Sequence, residues 1–303
     1  MLTLPPTSPT SLKLGLPKGR MQHGVLTLLA EAGIKITASD RGYRPQVSLA
    51  GVEAKLLKPQ NIIEMLSIGT RDLGFAGSDW VAELGVDVVE VLDTHLDTVR
   101  VVAAAPSGLF EANRLPPRPL VVVSEYQRLA KSWIDQRAMG DRFVRSYGAT
   151  EVFPPEDADV IIDVTATGAT LVANGLTIVQ DVMKSSTRLF ASRQAMADAA
   201  KRARIDDIAL LLSSVLEARK RVMLEVNVSE ACLAAVVAVL PCMKRPTVSR
   251  LASIHSDGRQ NEGEAGYAVK AAILRDQLAV VIPLLKAKGG TDVVISPISQ
   301  VVP

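Results

Sequence analysis

Aromatic residues are scarce: two Trp, four Tyr and five Phe in 303 residues. The core must therefore be filled by Val, Leu, Ile and Ala. With only two cysteines, Cys232 and Cys242, the chain carries no disulfide or cysteine-based metal framework and suits a reducing compartment. His23, His95 and His255 stand far apart without an i, i+4 pair, which argues against a zinc helix. Charge is nearly balanced at a formal +2, so a broad basic field for nucleic acid is missing. No apolar run approaches membrane-spanning length. The opening MLTLPPTSPTS has neither the basic nor the apolar part of a secretory signal. It is expected to be a disordered tail (residues 1–11) on a cytoplasmic protein.

What remains is an alternation of short apolar strands and short helical patterns. Leu12 to Leu16 (alternating), Asp72 to Ala76 (buried), Leu120 to Val123 and Val160 to Ile162 (buried) read as strands, each running into a polar turn and then a helical period. Val86 to Leu92, Val99 to Ala105, Thr177 to Val182 and Thr187 to Ala191 read as four more strands, and Gln194 to Arg221 as one long helix. This is an α/β pattern with a largely parallel sheet. From Val222 the order becomes βαββαβ, that of a ferredoxin-like unit appended to a complete α/β body. Between its middle strands, Ile254 to Gly266 is polar and Gly-rich and reads as a loop.

The chemistry concentrates in three strand-to-helix turns. In Asp163-Val164-Thr165-Ala166-Thr167-Gly168-Ala169-Thr170 a buried strand ends in an acid and a run of small hydroxyl residues. Unpaired N–H groups at the following helix, a glycine permitting close approach and Thr hydroxyls together suit a phosphate ester, with the acid on sugar hydroxyls. Ordinary capping by Thr167 or Thr170 explains the same residues equally well. Pro17-Lys18-Gly19-Arg20 sets two cations between a strand and a helix, a second candidate anion site or a solvated surface turn. Gly77-Ser78-Asp79 repeats the arrangement, with capping again a sufficient explanation.

Taken in order, Leu14-Gly15-Leu16-Pro17-Lys18-Gly19-Arg20, Asp72 through Asp79, Ile162 through Leu171 and Ala173-Asn174-Gly175-Leu176 resemble the ATP phosphoribosyltransferase family, which opens histidine biosynthesis. Each motif is weak or moderate alone, but four in series are specific, and the resemblance covers nearly the whole chain from Leu12. The βαββαβ unit, with Lys244-Arg245-Pro246-Thr247-Val248-Ser249 inside it, resembles the regulatory domain of the family's long form.

The resemblance implies a two-lobed catalytic body like periplasmic binding proteins, followed by a ferredoxin-like (ACT-like) domain. Lobe one is then 12–99 plus 189–221, lobe two 100–188, and the regulatory domain 222–303. It implies that N1 of ATP attacks C1 of phosphoribosyl pyrophosphate and expels pyrophosphate, with Mg²⁺ held through substrate phosphates. The implied roles are the 5-phosphate on Thr165, Ala166, Thr167, Gly168, Ala169 and Thr170, and the ribose hydroxyls on Asp163. Lys18 and Arg20 would meet phosphates, Ser78 and Asp79 would line the cleft, and Arg41 and Arg100 are weaker phosphate candidates. Histidine is implied as feedback inhibitor, with Glu225, Thr247 and Ser249 as its contacts, in a dimer-based hexamer; neither nucleic acid nor membrane is an expected partner.

This chain departs from the family where Gly-Phe-Gly is common, having His95-Leu96-Asp97, and the acid usual before Asp163 is Ile162. Two other readings stay open: a two-lobed solute-binding protein, and a non-catalytic amino-acid sensor.

Overall fold

The computed structural model describes residues 11–37, 42–110, 114–243, 245–252 and 266–302. Arg41, Lys244 and nearly all of the 254–266 loop fall outside them. The chain forms two compact units, Met1–Ala209 and Leu210–Pro303. Among the described residues no helix is long and apolar enough to cross a membrane.

Unit one begins with β1 (Leu12–Pro17), α1 (Arg20–Glu31), the short β2 (Ile36–Thr37) and β3 (Gln46–Val47), β4 (Val52–Leu57), α2 (Pro59–Ser67), β5 (Leu73–Gly77) and α3 (Ser78–Leu84). It continues with β6 (Val89–Pro106), β7 (Val121–Ser124), α4 (Gln127–Arg137), β8 (Arg142–Arg145), β9 (Val160–Thr165), α5 (Ala169–Ala173), β10 (Leu176–Ala191) and α6 (Arg193–Ala197). The unit boundary falls within α7 (Ala199–Arg219).

The main sheet has the order β4-β1-β5-β10-β6-β9-β7-β8. Its two ends are parallel trios, β4-β1-β5 and β9-β7-β8, joined by the antiparallel ribbon of β6 and β10. β5 pairs with Thr187–Ala191 of β10, and β9 pairs with Arg100–Ala104 of β6. The trios thus attach to opposite ends of the ribbon, which is the two-lobed plan of periplasmic-binding-type folds. Parallel strands buried on both faces carry continuous apolar runs; all five residues of β5 are buried. Ile62 of α2 packs directly over this end, where a Cβ on Gly74 would lie 2.4 Å from its Cγ2.

Two expectations change here. The four strands read at 86–105 and 177–191 are two long ones, β6 and β10, because irregular pairing carries the ladder through the breaks seen in the sequence. The long helix is interrupted at Asp198, whose backbone is extended and whose Oδ1 accepts the N–H groups of Ala200 and Lys201. Asp favours such a cap over a helix interior.

Unit two holds β11 (Arg221–Ser229), α8 (Leu233–Ala238), β12 (Thr247–Arg250), β13 (Gly266–Leu274), α9 (Leu278–Ala287) and β14 (Thr291–Pro297). Its sheet order is β12-β13-β11-β14, antiparallel throughout, which with βαββαβ connectivity is ferredoxin-like. The alternating buried residues Val222, Leu224, Val226 and Val228 of β11 meet Val236, Val281 and Leu285 of the helices.

Candidate functional site

Arg20, which opens α1, and the segment from Asp163 to Leu171 line a single concavity of about 340 Å³. The first follows β1 and the second follows β9, so the parallel trios at both ends of the sheet contribute. Gly19 adopts φ 82° to launch α1, which places Arg20 in the first helical turn rather than in the preceding loop.

The threonine loop is internally tied. Thr165 Oγ1 accepts the Gly168 N–H at 2.9 Å and Thr167 Oγ1 accepts that of Ala169 at 3.3 Å. Gly168 is left-handed at φ 84° just before α5, and Gly175 at φ 68° ends it. With the loop tied in this way, Ala166, Thr167, Ala169 and Thr170 still face the concavity.

Asp163 sits at the mouth of that loop with its carboxyl pushed up to about 6. Burial is the main cause, and Glu151 and Glu125 add repulsion against the Val164 N–H and the Thr150 hydroxyl, which favour the charged form. Glu151 also lines the concavity. Its only sequence signal was membership of the acidic loop ahead of β9.

Asp79 is 2% exposed, and its carboxylate accepts the Tyr126 hydroxyl at 2.7 Å and the Ser185 hydroxyl. Gly77 permits this folding back, as a Cβ there would lie 2.1 Å from Asp79 Oδ1. Ser78 Oγ donates to Ser185 Oγ at 3.2 Å. Burial, then the Asp79 charge, raises the Tyr126 phenol above its ordinary range, so it remains a donor. The Tyr126 ring also stacks on Trp80, with centroids 4.7 Å apart. The Glu83 carboxylate accepts the N–H groups of Arg128 and Leu129 at the start of α4. α3 is thereby fastened to α4 across the two trios, by partners that sequence spacing could not reveal.

Lys18 lies apart from the concavity's lining, its Nζ 3.7 Å from the centroid of the Tyr43 ring. Arg100 is paired with Asp181 at 2.8 Å. In unit two, Glu225 pairs with Lys270 at 2.8 Å, and Lys270 stands across from Thr247 in the β12–β13 register. Thr247 and Lys270 line a concavity of about 360 Å³ that does not include Ser249. Among the described residues no three His, Cys, Asp or Glu side chains gather as a metal cage.

A model of the family described as ATP phosphoribosyltransferase matches residues 58–214, and one described as HisG, C-terminal domain, matches residues 218–300. The ATP phosphoribosyltransferase of Pelotomaculum thermopropionicum is 33% identical over 299 residues, spanning 96% of this chain and 99% of that one. That of Koribacter versatilis is 36% identical over 298 residues, again with 96% and 99% covered. In structure, the chain resembles a component of the ATP phosphoribosyl transferase (HisG:HisZ) complex from Thermotoga maritima. That match has a TM-score of 0.60 at 22% identity, covering 68% of this chain and 98% of that one, and it bears on the fold alone. Relatives matched from end to end, and family models that meet both units, agree on one conclusion: the chain belongs to the ATP phosphoribosyltransferase family.

Proposed function

We propose that the concavity shared by Arg20 and the threonine loop is where this chain performs the family's reaction, the transfer of a phosphoribosyl group to N1 of ATP that begins histidine biosynthesis. The observation that carries the placement is the meeting of Arg20, Asp163, Ala166, Thr167, Ala169 and Thr170 on one surface although they follow different strands. The 5-phosphate of phosphoribosyl pyrophosphate rests on Thr165 to Thr170, where N–H groups and hydroxyls converge. Asp163 in its ionised form accepts the ribose hydroxyls and so orients C1. Arg20, with Lys18 beyond it, meets the pyrophosphate and the ATP phosphates; Arg100 and Arg41 are secondary candidates for the same charge. Ser78 and Asp79 form the inner wall, where Asp79 holds Tyr126 and Ser185 in place.

No covalent nucleophile is required. The adenine N1 lone pair forms the new bond as the C1–O bond breaks, and the leaving pyrophosphate takes the electron pair. The protein's contribution is to align two polyanions and stabilise charge as it develops. Mg²⁺ carried on the substrate phosphates would supply neutralising charge to the leaving group, which accords with a site built of hydroxyls, N–H groups and single carboxylates. The protein works in the cytoplasm. Lobes at 12–99 with 189–221 and at 100–188, and a histidine-binding domain at 222–303, complete the reading. Histidine contacts Glu225, Thr247 and Ser249, within a dimer-based hexamer.

The test is pyrophosphate release measured with ATP, phosphoribosyl pyrophosphate and Mg²⁺ together and with each omitted. Release is expected only with all three. Arg20→Ala is expected to lower kcat/KM for phosphoribosyl pyrophosphate at least tenfold with the circular dichroism spectrum unchanged. Full activity in that variant contradicts the placement.

A further inference from the structure

A second cationic concavity lies along the β4 edge of the main sheet. It measures about 530 Å³ and is lined by Arg44, Gln46, Glu53, Lys55 and Arg71, with no lining residue in common with the threonine-loop site. Arg44 leads into β3, Glu53 and Lys55 lie on β4, and Arg71 lies between α2 and β5. Three cationic side chains against one carboxylate is a local excess, in a chain whose whole formal charge is only +2.

The charges are arranged against their own repulsion. Burial lowers the Arg71 pKa below its ordinary value, and the charge of Arg44 lowers it further. Glu53 and Asp72 pull it back only in part, so the net effect remains a lowering. Asp72 is 4% exposed and already committed to Lys201 at 2.7 Å and to the Lys13 N–H at 2.8 Å. Glu53 is exposed and acts on Arg71 only through space. Among the described residues, Arg44, Lys55 and Arg71 form no ion pair with a carboxylate. Like charges held on one concave wall, with the adjacent acid satisfied elsewhere, favour an external counter-charge. Two planar guanidinium groups suit the oxygens of a phosphate, and a lysine adds a point charge.

We propose that Arg44, Lys55 and Arg71 form a second, non-catalytic binding site for a multiply charged phosphate anion. Gln46 and Glu53 border it and would meet hydroxyl or amine donors on a larger ligand. Ordered attraction at this place stabilises the β4 edge, since the anion replaces repulsion between Arg44 and Arg71 with two charge-assisted contacts.

The full-length protein is titrated calorimetrically with inorganic pyrophosphate. Two classes of site are expected: one weakened by Arg20→Ala, the other by changes at Arg44 or Arg71. Arg44→Glu is the sharpest variant because its carboxylate supplies the counter-charge internally. It is expected to lose the second class by at least tenfold in affinity, while kcat is unchanged and the melting temperature is equal or higher. Arg71→Gln should lose the same class. Titrating the Arg20→Ala protein with pyrophosphate and with AMP separates a free polyanion from a nucleotide's phosphate, by which binds tighter. A single class of site in the unaltered protein, or two classes persisting in Arg44→Glu, overturns the proposal. Loss of the second class on Arg44→Glu, with the first class persisting and unaffected by Arg20→Ala, instead sinks the catalytic placement and leaves this one standing.

Discussion

At the scale of single residues, Asp163 carries the most consequential departure from ordinary chemistry. A carboxyl raised from 3.8 to about 6 takes up a proton on folding between those two values. The folded state therefore loses stability as pH rises from about 4 to 6, and the cost stays in full above that window. Asp163→Asn removes the buried charge. At pH 8 the variant is expected to be more stable by about 1–3 kcal/mol, a gain that shrinks to nothing near pH 4. Thermal melts at the two pH values check this, and equal shifts at both would refute it. Activity should move the opposite way: the Asn variant loses turnover, and in the unaltered protein kcat/KM for phosphoribosyl pyrophosphate should fall as pH drops through about 6. The threonine loop and its acid were legible because their chemistry is contiguous in sequence. Glu151, 12 residues before Asp163, was not, because only the fold turns that distance into a shared wall.

At the scale of elements, the β6–β10 ribbon decides how the two trios are joined. The sequence suggested four strands because His95-Leu96-Asp97 and Lys184-Ser185-Ser186 interrupt the apolar pattern. The ladder survives these interruptions through shifts in pairing near Ser185 and Thr187. On β6, His95 and Asp97 adopt left-handed φ values of 55° and 47°. The family resemblance puts glycine at these two positions, the residue best suited to such φ values. A left-handed non-glycine residue costs roughly 1–2 kcal/mol, against about 0.5–1 kcal/mol of extra chain entropy for glycine. His95→Gly should therefore stabilise by about 0.5–1 kcal/mol, since the exposed His95–Asp93 contact at 3.3 Å adds little. Asp97→Gly should be closer to neutral, because Asp97 Oδ2 accepts the Thr187 hydroxyl at 2.9 Å and that bond would be lost. Urea midpoints for the two variants, with unchanged slopes, provide the measurement; destabilisation by His95→Gly would show that the side chain itself holds the ribbon. The Asp79, Tyr126 and Ser185 cluster was illegible for a related reason: its members come from three elements and meet only once the ribbon is formed.

At the scale of the whole molecule, the ferredoxin-like order of unit two followed from its connectivity, whereas a ligand's effect on a distant reaction is a free-energy coupling that no motif encodes. If histidine binds unit two and weakens substrate binding by some factor, substrates must weaken histidine binding by the same factor. The Glu225–Lys270 pair presents one charge of each sign side by side, with Thr247 opposite Lys270. An amino acid's ammonium and carboxylate require that complement. Glu225→Gln should leave kcat intact and raise the histidine concentration for half-inhibition at least tenfold, about 1.4 kcal/mol of binding. Equilibrium dialysis of histidine with and without saturating phosphoribosyl pyrophosphate supplies the second half of the cycle. Its ratio of dissociation constants should equal the ratio that histidine produces for phosphoribosyl pyrophosphate binding. In the Glu225→Gln protein the intrinsic histidine affinity should fall while that ratio holds, if the pair contributes to binding and the coupling resides in the conformations that both ligands bias. A ratio that collapses to one while histidine affinity is retained would move Glu225 out of the binding site and into the transmission between units.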